Sequence, residues 1–405
     1  MKRVCLVSPG HVGSNPRLVK EADSLYAAGY QVRVVAGDYM AEVRPLDAAI
    51  LSKAEWSWVQ VGLGSRVDYS SRRIRQELAR KITQKMPHLT WAVWAHSPMS
   101  DRLAKAAMAE PADLYIAHCL AALPAVAIAA RHHKARFGFD AEDFHTGELE
   151  DTPENQADIQ IRDRIERALL PHCAHLTAAS PRIADAYAKR YGVEMEPILN
   201  VFPLSEAPNS PPKHSRPVPS LYWFSQTIGA GRGIETIVQA MGQMQTPVEL
   251  HLRGILADGY RDQLMQLAET MNLCDRIHFL PSAPPPEMVK LAAQHDIGLS
   301  LELTTPRNRD LCLTNKIFTY LLAGLPVLMS RTQAQSELSR RLGSVAVLID
   351  VRNPTEIAKT LDRWLSNRDH LIQARQQAWQ LGQSRYNWER EQERFLTRIE
   401  KSLTA

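Results

Sequence analysis

Leu313–Val327 reads LTNKIFTYLLAGLPV. The pattern predicts a polar loop, a short helix opened by Thr314 or Asn315, a stop at Gly324 and a strand beginning with Pro326. A helix that opens from such a loop aims unpaired backbone N–H groups and the positive end of its dipole outward, which suits a phosphate or diphosphate. Lys316 adds a point charge in the first turn. The same punctuation also fits an ordinary helix-to-strand connection of an α/β domain, so the neighbouring segments have to decide between the two.

Those neighbours repeat the alternation. Downstream of a proline-rich stretch come strand Leu221–Phe224, a helix over 233–241, a strand over 248–253, a helix over 260–271, a strand over 276–279, a helix over 286–295 and a strand over 297–301. The loop opening this half, Ser225 to Gly233, carries Gly229, Gly231 and Gly233 beside Arg232. Glycines allow close backbone approach, and the forked guanidinium can grip a phosphate; turn chemistry alone also accounts for three glycines.

The first half begins with a βαβ unit. Arg3–Val7 reads as a buried strand, Ser14-Asn15-Pro16 as an N-cap with proline at the first helical position, and Leu18, Ala22, Leu25 and Tyr26 as one helical face closed by Gly29. A strand over 31–35 follows. The loop Ser8 to Ser14, with Gly10 and Gly13, sits at a sheet edge where doubly wound folds bind ligands. It is not GxGxxG and only Asp38 is available near the second strand's end, which disfavours a dinucleotide-dependent dehydrogenase. Further on, strand 113–118 ends at His118, and strand 136–139 runs into Asp140, Glu142, Asp143 and His145. Parallel strand ends share one rim, so these polar groups either converge on a site or are simply solvated.

Composition bounds the remaining readings. At 405 residues, two domains of about 200 residues are expected. A net charge of +4 is too mild for a nucleic-acid binder. Five scattered cysteines without a CxxC pair fit reduced thiols in a cytoplasm. His172, Cys173 and His175 lack a fourth ligand at a familiar spacing, so no metal is expected. The N-terminus lacks a signal peptide's apolar region, and no run approaches the about 20 apolar residues of a membrane span. Between Leu51 and Asp101 lie Arg72, Arg73, Arg75, Arg80, Lys81 and Lys85, with Trp56 and Trp58 before them and Trp91 and Trp94 after. A basic helix leading to interfacial tryptophans suits peripheral docking on an anionic bilayer, at the inner face of the membrane; a solvated basic face beside core aromatics gives the same pattern. Residues 204–219 form a linker too rich in proline and polar groups to pack, between an N-terminal domain of 1–203 plus 386–405 and a C-terminal one of 220–385.

The chain resembles the retaining family-4 glycosyltransferases of the GT-B fold along nearly its whole length. The resemblance rests on SNPRLVKEADSLYAAGYQV, DLYIAHCLAALPAVAIAAR, FDAED and ILNVFP in the first half, then GAGRGIETIVQAM, IHFLPSAPPPEMVKLAAQHDIGLSLE, TNKIFTYLLAGLPVL and RYNWERE. It implies two Rossmann-like doubly wound domains facing across a cleft, the second holding a nucleotide diphosphate sugar and the first a glycan, lipid-linked or small-molecule acceptor. It also implies no metal and no cofactor, the nucleotide-sugar being a substrate.

Carried over residue by residue, the resemblance is uneven. His118 matches the strand-end histidine that contacts the transferred sugar or acceptor, and is the implied catalytic residue. Arg232 stands for the lysine of a basic pair that neutralises the donor diphosphate; Gln226 or Thr227 occupies its partner's place, so one positive charge is missing. Thr314, Asn315 and Lys316 match the diphosphate-facing helix start. The family places a ribose-binding glutamate where this chain has Thr319, and the earlier glutamate of that motif falls near Leu311, with Glu302 or Asp310 as substitutes. Gly13 and Gly231 complete the donor set; Asn15, Arg17, Asp140 and Glu142 form the acceptor side. Exchanging a carboxylate for a hydroxyl loses a hydrogen bond worth roughly 1.5 to 3 kcal/mol, about tenfold to a hundredfold in affinity. Because Arg232, Lys316 and His118 all remain, an active transferase is expected, with an inactive GT-B binding module or a sugar-nucleotide epimerase as the alternatives.

Overall fold

The computed structural model describes residues 1–86, 88–211 and 218–404. Pro87 of the basic stretch and residues 212–217 of the expected linker lie outside them. The chain divides into two compact units: Met1–Leu199 with Pro306–Asn308 and Gln392–Ala405, and Asn200–Thr305 with Arg309–Glu391. The divisions thus fall at Leu199 and Gln392, not at Pro203 and Tyr386.

In the first unit, strands β1 (Arg3–Ser8), β2 (Gln31–Asp38), β3 (Ser57–Gly62), β4 (Leu114–His118), β5 (Arg136–Ala141), β6 (His175–Ala178) and β7 (Glu196–Pro197) make one parallel sheet in the order β3-β2-β1-β4-β5-β6-β7. Val4 to Val7 and Leu114 to Ala117 are buried throughout, as expected of strands with helices on both faces. The first helix, Pro16–Ala27, starts as its sequence dictates: Asn15 Oδ1 accepts from Leu18 N at 3.0 Å, and Pro16 fills the position whose N–H would go unused. Leu18, Ala22 and Leu25 turn to the sheet, whereas Tyr26 is exposed and leaves the expected face. At the chain's end, Arg136 donates to Ser402 O at 2.7 Å and Arg398 to Ala174 O at 3.1 Å, which joins the last helix to this sheet.

In the second unit, β8 (Ser220–Ile228), β9 (Glu249–Leu256), β10 (Ile277–Leu280), β11 (Ile297–Ser300), β12 (Val327–Ser330) and β13 (Ala346–Ile349) form a parallel sheet ordered β10-β9-β8-β11-β12-β13. One face packs Leu221, Trp223, Leu250, Leu252 and Leu299 against Ile237, Val238, Ile357 and Leu361 of two helices. Each such side chain contributes about 1.5–3 kcal/mol of burial. The segment 313–327 folds as its punctuation demands: a helix Asn315–Ala323, Thr314 at its N-cap, Gly324 at φ +75° ending it, and β12 beyond. Lys316 to Ala323 are all buried, so this is an interior helix.

Two local expectations change. The segment over 286–295 is a 3-10 turn, Pro285–Glu287, and a short helix, Met288–Ala292. Strand β8 continues to Ile228 through a bulge between Phe224 and Thr227, so Gln226 and Thr227 belong to a strand end and not to an open loop.

Candidate functional site

Both sheets reverse their winding beside the first strand of each unit, and parallel sheets present ligand-binding loops at the carboxyl ends flanking such a reversal. In the second unit the reversal lies between β8 and β11. The loop after β8 holds Gly231 and Gly233, at φ +72° and +74°, with Arg232 between them. A side chain at Gly233 would stand 2.6 Å from Val351 Cγ2 and 3.2 Å from Leu301 Cβ. Only glycine lets the loop press this closely onto Val351, just past β13, and onto the segment that follows β11.

That segment brings further groups to the same rim. Arg309 donates to Gly231 O at 3.3 Å, and Thr314 Oγ1 lies 3.3 Å from Ser300 Oγ. Thr314 spends no side-chain bond on capping its helix, so the first-turn amides keep their outward role. Arg232 is half-buried and forms no ion pair among the described residues. Lys316 behaves differently: its ammonium is buried, 3.5 Å from Glu302 Oε1 and 5.6 Å from the centre of the Trp223 ring. Lys316 and Glu302 are therefore brought together, as each other's partners. Asp310, the other substitute carboxylate, accepts from Gln333 N and Nε2 at 2.8 and 2.6 Å.

Thr319 does not reach a ligand surface. It is fully buried and its hydroxyl donates to Asn315 O at 3.2 Å, within its own helix. A helix buried from Lys316 to Ala323 leaves its mid-helix position no route outward, which excludes Thr319 from direct donor contact.

In the first unit the reversal lies between β1 and β4, and the expected residues do meet there. Arg17 donates from Nε to Asp140 Oδ2 at 2.6 Å, from Nη2 to Asp140 Oδ1 at 2.7 Å and from Nη1 to Ile198 O at 2.6 Å. Thr177 Oγ1 donates to Asp140 Oδ1 at 2.6 Å. His118 Nδ1 lies 3.4 Å from both Asp140 Oδ2 and Glu142 Oε1, and its Nε2 lies 3.3 Å from Glu21 Oε2. Asn15 Nδ2 donates to Glu142 Oε1 at 2.6 Å. Arg17, Asp140 and His118 have no exposed surface, so the expected acceptor contacts of Arg17 and Asp140 are replaced by contacts to each other. Glu142, 21% exposed, is the end of the network that faces outward.

The electrostatics follow from burial. Burial alone would neutralise Asp140, but the Arg17 guanidinium outweighs it and holds the carboxyl well below the usual range. Burial likewise opposes a charge on His118; Glu21, Glu142 and Asp140 overcome it and raise the imidazole to about 10. Glu21 is pushed up by its burial and by Asp140. Sequence reading missed this residue, although its place four residues after Arg17 on the inward helical face was the available signal. Glu21, His118 and Asp140 offer ligand atoms within 4.8 Å of one another, but Arg17 already supplies the cation there. His175 Nδ1 sits 3.2 Å from Ser402 Oγ, a structural role apart from His172 and Cys173.

The glycine loop after β1 is organised from within. Asp47 accepts from Gly13 N at 2.7 Å and from His11 Nδ1 at 2.6 Å, while His11 Nε2 accepts from Tyr39 N and Met40 N at 2.9 and 2.8 Å. Gly13 thus has no amide to give a donor phosphate; an internal carboxylate takes it.

The basic stretch is a helix, Arg66–Lys85. Several of its charges are committed: Arg72 to Leu63 O, Arg80 to Asp158, and Arg75 to Asp101 while lying 4.7 Å over the Trp94 ring. Trp56 is buried and donates to Asp23 Oδ1 at 2.8 Å. No helix among the described residues is long and apolar enough to cross a membrane.

The profile of the glycosyl transferase 4-like domain matches residues 12–202, and that of a glycosyl transferase-like family matches 232–397. No curated protein sequence matches the chain. Among solved structures, HepE of Anabaena in complex with UDP superposes with a TM-score of 0.72 at 16% identity, covering 99% of this chain and 100% of its own. Sucrose-phosphate synthase of Thermosynechococcus elongatus gives 0.71 at 14% identity, covering 99% of each chain. A UDP-forming trehalose-phosphate synthase of Burkholderia xenovorans gives 0.68 at 15%, covering 100% of each. With both halves matched by glycosyltransferase profiles and the whole chain by this fold, the protein belongs to the GT-B glycosyltransferases.

Proposed function

We propose that the chain transfers a sugar, with retention and without a metal, from a nucleotide diphosphate sugar held by the second unit to a glycan, lipid-linked or small-molecule acceptor held by the first. The carrying observation is the rim between β8 and β11, where Arg232, Arg309 and the N-terminal amides of helix Asn315–Ala323 gather beside two left-handed glycines. Positive groups fixed in place there stabilise the charge that develops on a departing diphosphate. UDP-sugars are the first donors to test, because HepE was solved with UDP. Thermal-shift screening against UDP, GDP, ADP and CMP conjugates, followed by turnover with the donor that binds, tests the reading. Unchanged turnover in both His118→Ala and Arg232→Ala sinks it.

The burial of Thr319 and the pairing of Glu302 with Lys316 favour a second reading, a GT-B module that binds a nucleotide without transferring a sugar. It predicts saturable binding with neither transfer nor hydrolysis.

For a lipid-linked acceptor, helix Arg66–Lys85 supplies the docking surface at the cytoplasmic face of a membrane. Val67, Ile74 and Leu78 are exposed at 80%, 62% and 54%, and at helical spacing they share one line with exposed Lys81 and Lys85. Asp68 and Glu77 fall off that line and pair with Arg102 and Arg73. An apolar row ending in lysines matches an anionic bilayer. Ile74→Glu combined with Leu78→Glu should abolish co-sedimentation with anionic vesicles. Binding equal on zwitterionic vesicles and unaffected by salt contradicts it.

A further inference from the structure

The face of the second sheet opposite its apolar core carries a row of rings that the transferase reading does not use. Tyr222 of β8 is the register partner of His251 of β9, which is in turn the partner of His278 of β10. Glu249, two residues before His251, points to the same face, as strand periodicity requires. Glu249 Oε2 lies 3.0 Å from His251 Nε2 and 3.7 Å from His278 Nε2. All three ligand atoms fall within 4.8 Å of one another.

We infer that Glu249, His251 and His278 form a site for a divalent ion of the zinc class, clipping the edge strand β10 to β9. Two imidazoles and one carboxylate are a donor set that suits zinc, with a fourth position left to water. Bonds of about 2.0–2.1 Å put neighbouring ligands of a tetrahedron roughly 3.4 Å apart, a value that falls between the two measured separations of 3.0 and 3.7 Å. The histidine rings lie side by side, 4.5 Å between centroids and 25° between planes, and both turn Nε2 to the same carboxylate oxygen. Histidine χ2 is a broad torsion, so small ring rotations bring both lone pairs onto one ion. The strand register supplies this preorganisation without any loop.

The surroundings allow an ion to enter. The side chains of Glu249 and His278 are 31% and 37% exposed. Among the described residues of this face, Arg253 directs its guanidinium to Tyr222 OH at 2.9 Å and Pro281 O at 2.7 Å. The trio lies toward the amino ends of β9 and β10, whereas the Arg232 loop follows the carboxyl end of β8. The ion is therefore a structural clip independent of sugar transfer, and the inference does not rest on the proposed donor.

The full chain, stripped with EDTA and titrated with Zn²⁺ by calorimetry and with Co²⁺ by visible absorption, tests the site. Expected are one ion per chain, a tetrahedral Co²⁺ spectrum and a melting temperature raised by Zn²⁺. Glu249→Gln and His278→Ala should each weaken binding by about tenfold or more and remove the thermal shift. His278 is half-exposed on an edge strand, so its variant is expected to fold even where His251→Ala does not. Substoichiometric uptake, or uptake equal in wild type and His278→Ala, means an adventitious ion only and overturns the site.

Discussion

Arg17 and Asp140 meet through two near-parallel N–H···O bonds of 2.6 and 2.7 Å, with neither side chain exposed. The pair joins the helix after β1 to the end of β5, across the reversal of the first sheet. Its geometry is the bidentate one that a guanidinium and a carboxylate favour.

Breaking this pair should cost more than any acceptor contact would. Asp140→Ala strips the buried Arg17 cation of its bidentate partner and leaves it only Glu21 Oε1 at 3.3 Å and the Ile198 carbonyl, for an expected loss of about 3–5 kcal/mol in urea unfolding at neutral pH. Because the folded-state carboxyl titrates below its unfolded value, this contribution is present above the usual carboxylate range and is lost as pH falls from that range through the lower folded-state value. A loss under about 1 kcal/mol would place the pair at the solvated surface instead.

His118 should impose the opposite slope. Its folded value is raised to about 10, against about 6.5 for a free histidine, so its stabilisation is complete below the lower value and declines as pH rises toward the higher one. Unfolding measured from pH 7 to 10 should show a decline in the wild type that His118→Gln lacks. Parallel profiles for the two proteins would mean that His118 carries no extra proton.

Much of the fold was legible because local chemistry agreed with the final packing. Asn15-Pro16 capped a helix, Gly324 ended one, and buried apolar runs became parallel strands. The sites were less legible, since residue type does not report where an atom spends its bonds. Gly13 stood among the expected donor residues, but Asp47, more than thirty residues away, takes its amide. Trp56 fitted either an interfacial or a core position, and it belongs to the core against Asp23. Glu21 and the strand-register trio on β9 and β10 depend on pairings that no single segment reveals.

Thr319 offers a clean test of the donor side. Its hydroxyl stays within the helix, donating to Asn315 O. Thr319→Val should leave nucleotide affinity within about twofold and cost about 0.5–1.5 kcal/mol of stability, the value of one ordinary hydrogen bond. Calorimetric titration with the nucleotide that the screen selects reads the first quantity. A tenfold loss of affinity would return Thr319 to the ribose.

Arg232 and Lys316 carry the same formal charge but should respond differently to removal. Arg232 is half-buried and has no counter-ion among the described residues, whereas Lys316 is buried against Glu302 at 3.5 Å. Arg232→Ala should therefore weaken the nucleotide diphosphate by roughly tenfold to a hundredfold, the value of one or two charge-assisted bonds, and leave the unfolding midpoint unchanged. Lys316→Ala should lower stability by about 3–5 kcal/mol, because Glu302 is left charged and enclosed. Lys316→Met with Glu302→Leu removes both charges and should recover most of that loss, as replacing a buried pair together often does. If the double variant regains stability and also keeps its nucleotide affinity, the diphosphate is held by Arg232 and the helix amides without Lys316. If stability returns while affinity does not, Lys316 turns from Glu302 to the diphosphate when the donor binds.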